Sequence, residues 1–209
     1  MTISKKFAII LGYVVIALYS FIPQAQASSN VDLSNPAFAA VTGRTSIPIG
    51  HSEFCKTRPQ ECGINANVQE VVPLTQERWE QLLRVNTAAN TNIVAVTDEQ
   101  LYQTVEFWTY PNGYGDCEDF VLAKRRDLIN LGWNPSTLLI SVVRQVSGDG
   151  HAVLMVRTDR GDLILDNMEG LVKLWNQTPY QYIKRQSQTH AGQWVDIADP
   201  RPMSTIASL

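Results

Sequence analysis

Thiols and imidazoles are scarce in this chain, with three cysteines and three histidines among 209 residues. A zinc site on the clustered pair Cys55 and Cys62 would need two more soft ligands, and His51 is the only one nearby. No GxGxxG or P-loop glycine pattern is present, and no internal repeat, so nucleotide-binding and solenoid readings lose their usual sequence support. Net charge is only −3, with no basic patch and no interleaving of basic and aromatic residues, which speaks against nucleic acid as a partner. Beyond the N-terminal region no apolar run is long enough for a bilayer, which takes about 20 residues.

What is present at the N-terminus reads as a secretory signal over residues 1–27. Lys5 and Lys6 form a basic start, residues 7–22 are apolar and uncharged, and Ala25-Gln26-Ala27 is a small-x-small cleavage site. An uncleaved anchor is the alternative, but the run is short for a span. Cleavage leaves a periplasmic chain long enough for one domain with its own core and no membrane span. In an oxidising compartment Cys55 and Cys62 most simply form a disulfide across a small loop, contributing ~2–3 kcal/mol at most. That pairing leaves Cys117 alone, and an odd thiol in an exported protein calls for a chemical reason.

Residues 28–74 show no clear periodicity and read as an extended N-terminal segment holding the cystine. From Thr75 the pattern turns helical, with Trp79, Leu82, Leu83 and Val85 near helical spacing. A short apolar run follows at Ile93, Val94 and Val96. Thr97-Asp98-Glu99 then looks like the start of a second helix with Leu101, Tyr102, Val105 and Trp108 on one face. Residues 111–115 are a loop, and a third helix is expected from Cys117 to about Leu131, stopped by Gly132, with Lys124, Arg125 and Arg126 solvated. The second half reads as strands at 138–143, 151–156, 162–166, 180–184 and 193–197, with a hairpin turn at 157–161. Helices first and antiparallel strands second imply an α+β domain over 75–198, followed by a loose tail at 199–209.

Cys117 sits in Gly115-Asp116-Cys117-Glu118-Asp119-Phe120, where a glycine-containing loop enters a helix. The positive end of a helix dipole favours thiolate over thiol. His151 begins one strand-like run and Asp166 ends the next. If Val156 pairs with Gly161 across a four-residue loop, His151 lies directly opposite Asp166 and on the same face. A carboxylate there fixes the imidazole tautomer and leaves the other ring nitrogen for the thiol. A one-residue slip would part them. Cys, His and Asp in that order point to a nucleophilic triad that forms a thioester with an acyl carbonyl, with the Cys117 N–H positioned for the oxyanion. Water as second nucleophile makes a protease and an amine makes a transglutaminase.

Gly115-Asp116-Cys117-Glu118-Asp119-Phe120, then His151-Ala152-Val153-Leu154, then Leu163-Ile164-Leu165-Asp166-Asn167, resemble the bacterial transglutaminase-like cysteine proteinases, the LapG-like periplasmic peptidases. The resemblance covers roughly residues 75–185. It implies a papain/transglutaminase-like core with the Cys at a helix start packed on an antiparallel sheet. It also implies Cys117 as nucleophile, His151 as base and Asp166 as orienting acid. It further implies a calcium requirement through the acids beside the nucleophile, here Asp116 and Glu118, whose oxygens suit a hard cation. Without a cation those two charges should raise the Cys117 pKa. The expected function is an exported cysteine peptidase cleaving a periplasmic or surface protein. A same-fold amidase or acyltransferase on protein or cell-wall peptide, and a catalytically silent binding module, are the rivals.

Overall fold

The computed structural model describes residues 37–201. The expected signal at 1–27 and most of the expected tail lie outside the described residues. The elements in chain order are β1 (Val41–Thr45), α1 (Ile49–Thr57), α2 (Gln76–Asn92), β2 (Val94–Ala95), α3 (Asp98–Tyr102), β3 (Tyr114–Gly115) and α4 (Cys117–Asn130). There follow β4 (Leu138–Arg144), β5 (Gly150–Thr158), β6 (Gly161–Leu165), β7 (Lys173–Leu174), β8 (Gln181–Gln186) and β9 (Trp194–Ile197). Seven strands form one sheet in the order β1-β9-β8-β4-β5-β6-β7, every neighbouring pair antiparallel. β2 and β3 make a separate parallel pair. The mixed α+β reading of the sequence holds.

α2 starts where Thr75 accepts a hydrogen bond from the Arg78 N–H at 3.2 Å, which satisfies one of the donors a helix start leaves open. Its Leu82, Val85 and Ala89 face the core. α4 buries Phe120, Val121 and Leu128. Val121 and Leu128 join Leu138 and Ile140 of β4, Ala152, Leu154 and Val156 of β5, and Leu163 and Leu165 of β6 in one apolar cluster. Alternate residues of the same strands, Leu139, Val153, Met155 and Ile164, belong to a second cluster with Tyr180, Tyr182 and Trp175. Both faces of the central strands are therefore covered, which explains why β5 and β6 read as continuous apolar runs instead of alternating ones.

Several features differ from the sequence reading. The N-terminal segment expected to be extended carries β1, which pairs with β9, and the nine-residue helix α1. The helix expected from Thr97 stops after five residues because Gln103 turns into the left-handed region at φ 56°. Trp108 then reaches the core from a loop, while Val105 is 87% exposed. Lys124 and Arg125, expected in solvent, are buried. Finally, the start of the expected loose tail is tied down. Arg201 bonds the Asp199 carboxylate at 2.8 Å and the Thr178 carbonyl at 3.1 Å, and stacks on Trp175.

The β5–β6 turn has two residues, Asp159 and Arg160, since Thr158 pairs with Gly161. Thr158 Oγ1 accepts from the Arg160 N–H and donates to the Gly161 carbonyl, tightening the turn. Gly161 has φ +109° and its Cα faces the Ala37 backbone, where a Cβ would lie 2.6 Å from the carbonyl oxygen. Only glycine fits such a place. The four-residue loop expected from the sequence is thus two residues shorter, and the ladder runs through Leu154↔Leu165. His151 is displaced by two residues from direct opposition to Asp166. An even displacement keeps both side chains on one face, so the facing argument survives although the register assumed for it does not.

Candidate active site

Cys117 is the first residue of α4 and the one free cysteine among the described residues. It is partly exposed and lines a cleft of ≈ 370 Å³ together with Glu106, Trp108, Glu118, Gly150, His151 and Ala152. The thiol hydrogen-bonds to Glu118 Oε2 at 3.2 Å. Burial, then the charge and hydrogen bond of Glu118, push the thiol well above its ordinary value, against which the Ala152 N–H pulls only weakly. Burial and Glu118 thus oppose the thiolate that the helix dipole favours. The second sequence expectation, that flanking carboxylates raise the pKa in the absence of a cation, describes the site.

His151 and Asp166 meet as the sequence order implied. His151 Nε2 lies 2.8 Å from Asp166 Oδ1, both side chains being almost fully buried. The pair spans the diagonal of the hairpin, a separation that an imidazole and a carboxylate can bridge. The same Oδ1 accepts the Met168 N–H at 3.0 Å, and Oδ2 accepts the Tyr180 hydroxyl at 2.5 Å. The Tyr180 ring also packs on the imidazole, centroids 5.5 Å apart. Asn90 of α2 donates to the Asp166 carbonyl at 2.8 Å. Burial alone would raise the Asp166 carboxyl, but these donors, led by His151, hold it below the usual range. An ionised carboxylate on Nε2 leaves Nδ1 as the ring atom free for a proton from the cleft. Tyr180 and Asn90 were not recognisable in the sequence, because a tyrosine at a strand start and an asparagine in a helix carry no local signal of their target.

The acids beside the thiol form a group with a third member. Asp98, Asp116 and Glu118 each offer an oxygen within 4.8 Å of the others. The sequence pointed to Asp116 and Glu118 and missed Asp98, which reads there as a first-turn acid of α3. The chain folds so that the Asp98 N–H bonds Asp116 Oδ2 at 3.3 Å, and Asp98 Oδ2 accepts the Phe107 N–H. Oδ1 of Asp98 and Oδ1 of Asp116 are buried without any partner. Glu118 is driven up to about 9 by burial, then by the charge of Asp116 and its hydrogen bond. Burial raises Asp98 as well. Three carboxyl groups thus lie close together, and two of them carry a buried oxygen without a hydrogen-bond partner. This donor set fits a hard, oxygen-preferring cation.

Cys55 and Cys62 form the expected disulfide, Cα atoms 5.6 Å apart. His51 lies against it, Nε2 at 3.8 and 3.9 Å from the two sulfurs. The Trp194 indole N–H donates to Nδ1 at 3.1 Å, and the Gln186 amide nitrogen is 3.3 Å from Nε2. Burial, then the charge of Arg125, lower the His51 pKa to about 4. With the sulfurs joined and Nδ1 taken by the Trp194 donor, the zinc alternative has no ligand set, and His51 is a neutral structural contact between α1 and β9.

Three solved structures of Legionella pneumophila LapG are similar in fold. The calcium-bound form matches with TM-score 0.49 and 25% identity, over 56% of this chain and 68% of that one. A second LapG structure gives TM-score 0.48 and 26% identity, covering 56% and 68%. An EGTA-treated form gives TM-score 0.48 and 25% identity, covering 58% and 72%. No curated protein matches the chain. The model of the bacterial transglutaminase-like cysteine proteinases (BTLCP) matches residues 41–202, a span that takes in every element from β1 to β9. With a partly exposed thiol at a helix start sharing a cleft with a carboxylate-bound imidazole, the chain belongs to this family of cysteine peptidases.

Proposed function

We propose that the chain is exported through a cleaved signal over residues 1–27 and cleaves a periplasmic or surface protein, with Cys117 as nucleophile, His151 as base and Asp166 as the acid that orients the base. The observation that carries this is the 2.8 Å contact from His151 Nε2 to Asp166 Oδ1, made by a ring that shares its cleft with Cys117. Nδ1 of His151 takes the thiol proton as sulfur attacks the scissile carbonyl. The backbone N–H of Cys117, at the positive end of α4, faces the developing oxyanion. His151 returns its proton to the leaving amine, and a thioester remains on Cys117. Water, deprotonated by the same Nδ1, then hydrolyses the thioester. Acyl transfer to an amine would use the same intermediate; membership of a proteinase family favours water.

Asp98, Asp116 and Glu118 would hold Ca2+, their irregular three-carboxylate arrangement suiting a cation that tolerates uneven oxygen shells better than Mg2+ does. Bound there, the ion supplies positive charge next to the thiol and so favours the thiolate. With the ion bound, the charge of Glu118 would be offset and would no longer oppose the thiolate.

The test is a substitution series on the purified mature protein. Cys117→Ala and His151→Ala should each lower kcat/KM by on the order of 10⁴ or more, with the fold retained by circular dichroism. Asp166→Asn should be milder, because it disturbs tautomer and orientation but leaves the nucleophile. N-terminal sequencing of periplasmic protein should begin at Ser28; a start at Met1 would refute the export step.

A further inference from the structure

A second cavity, of ≈ 500 Å³, adjoins the thiol cleft and is larger than it. Glu106 and Trp108 line both, so this pair stands at the boundary between the two spaces. One wall is α1, which contributes Gly50, Glu53, Phe54 and Thr57. The arrangement at the junction is a built one. The Trp108 indole N–H donates to Glu106 Oε2 at 3.0 Å and fixes the carboxylate at the shared edge. Gly50 of α1 lies directly under both groups: a Cβ there would stand 2.3 Å from Trp108 Cδ1 and 3.0 Å from Glu106 Oε2. A glycine is thus needed for α1 to approach this pair.

The charges along the cavity are unequal. Glu53 is satisfied by Lys56 at 2.6 Å. Arg58 lies across the Phe54 and Tyr110 rings, 5.6 and 5.4 Å from their centroids. Glu106 has no cationic partner among the described residues, although its carboxylate is half committed to Trp108. Phe107, 47% exposed, gives the cavity an apolar floor beside it, and the buried Phe54 and Trp108 also line the space. An apolar floor that ends at a fixed, unpaired carboxylate matches a long aliphatic stem that ends in a positive charge.

We propose that this cavity is a substrate side-chain pocket that takes lysine or arginine, with Glu106 as the specificity-determining residue. The inference rests on the peptidase reading of the cleft, since it assumes that a polypeptide crosses Cys117 and places a neighbouring side chain beyond Trp108. Glu106 is exposed at the junction, so the ion pair formed there is of the partly solvated kind.

The test separates binding from turnover. A pool of end-blocked random octapeptides is equilibrated with the Cys117→Ala protein, and retained peptides are identified by mass spectrometry. Lysine or arginine should be enriched about 3–10-fold over norleucine at one fixed position, which corresponds to a weak, partly exposed ion pair. Raising ionic strength should reduce that enrichment. Glu106→Gln, which keeps an acceptor for Trp108, should bring it close to unity, and Glu106→Lys should shift it toward aspartate and glutamate. Enrichment that is absent, or that survives Glu106→Gln unchanged, overturns the pocket. Wild-type cleavage of the retained peptides is scored separately. Retention with basic preference but no Cys117-dependent cleavage would refute the peptidase mechanism and leave the pocket standing.

Discussion

The Tyr180 hydroxyl donates to Asp166 Oδ2 at 2.5 Å while His151 occupies Oδ1, so both oxygens of one buried carboxylate are committed. Tyr180 comes from the chain just before β8, and the contact ties the far side of the sheet to the β6 end that carries Asp166. Tyr180→Phe keeps the ring on the imidazole but leaves Oδ2 buried without a donor. The expected cost is about 1–3 kcal/mol of stability in urea melts. Looser control of the imidazole should also lower kcat/KM by about tenfold with little change in KM. Unchanged kcat with only a stability loss would mean that the hydroxyl serves folding alone.

Lys124 gives the second prediction. It is fully buried on α4, and its ammonium has no hydrogen-bond partner. Burial lowers its pKa to about 7, with Asp166 pulling the other way. The folded value lies below the unfolded one, so the unfolded chain binds the extra proton between about 7 and 10.5 and stability rises with pH across that window. Lys124→Met should remove this slope and stabilise the protein at neutral pH by about 1–4 kcal/mol, as replacement of a buried charge by an apolar group of similar volume often does. Destabilisation at neutral pH would show that the ammonium has a partner in the folded protein.

A similar argument applies to His51 and the cystine. With a folded pKa of about 4 against 6.5, His51 contributes stability that is fully present above pH 6.5 and is lost as pH falls toward 4. His51→Gln should flatten that limb of the pH–stability curve. Replacing both Cys55 and Cys62 by serine should cost ~2–3 kcal/mol, the amount expected for a short closed loop. Alkylation before reduction should label Cys117 and neither of the other two; label on Cys55 or Cys62 would count against the disulfide.

Much of this site was legible in the sequence, and what was not has physical reasons. Cys117, His151 and Asp166 stood out because each sits at the edge of an element, where side chains reach a shared cleft. The hairpin register was read two residues out, since Thr158 closes a tighter turn than the polar run 157–161 implies. The parity of strands protected the conclusion. Asp98 was hidden because an acid in a first helical turn has a local explanation, and its approach to Asp116 depends on the loop that carries Phe107. Lys124 and Arg125 were misplaced because α4 is covered on more than one face: β5 packs on one side and α2 on another. Arg125 finds the Leu138 carbonyl at 3.0 Å, a tertiary partner that no helical pattern announces.

The acid cluster leads to the metal prediction. Calcium should raise the melting temperature in a concentration-dependent way, contributing ~2.7 kcal/mol at a hundred times its dissociation constant. Magnesium should do less at equal concentration. Asp98→Asn should weaken the effect as much as Asp116→Asn does, although Asp98 is eighteen positions upstream. Calorimetry without a calcium signal at millimolar concentration, together with activity indifferent to chelator, would leave these carboxyl groups as helix-terminus residues.

The central claim is that Cys117 performs the bond cleavage. The most direct measurement is identification of new peptide termini by mass spectrometry after incubating the mature protein with a mixture of periplasmic and surface proteins, in calcium. The account predicts new termini with the wild type, none with Cys117→Ala, and few when chelator replaces calcium. The same termini produced by Cys117→Ala would contradict it.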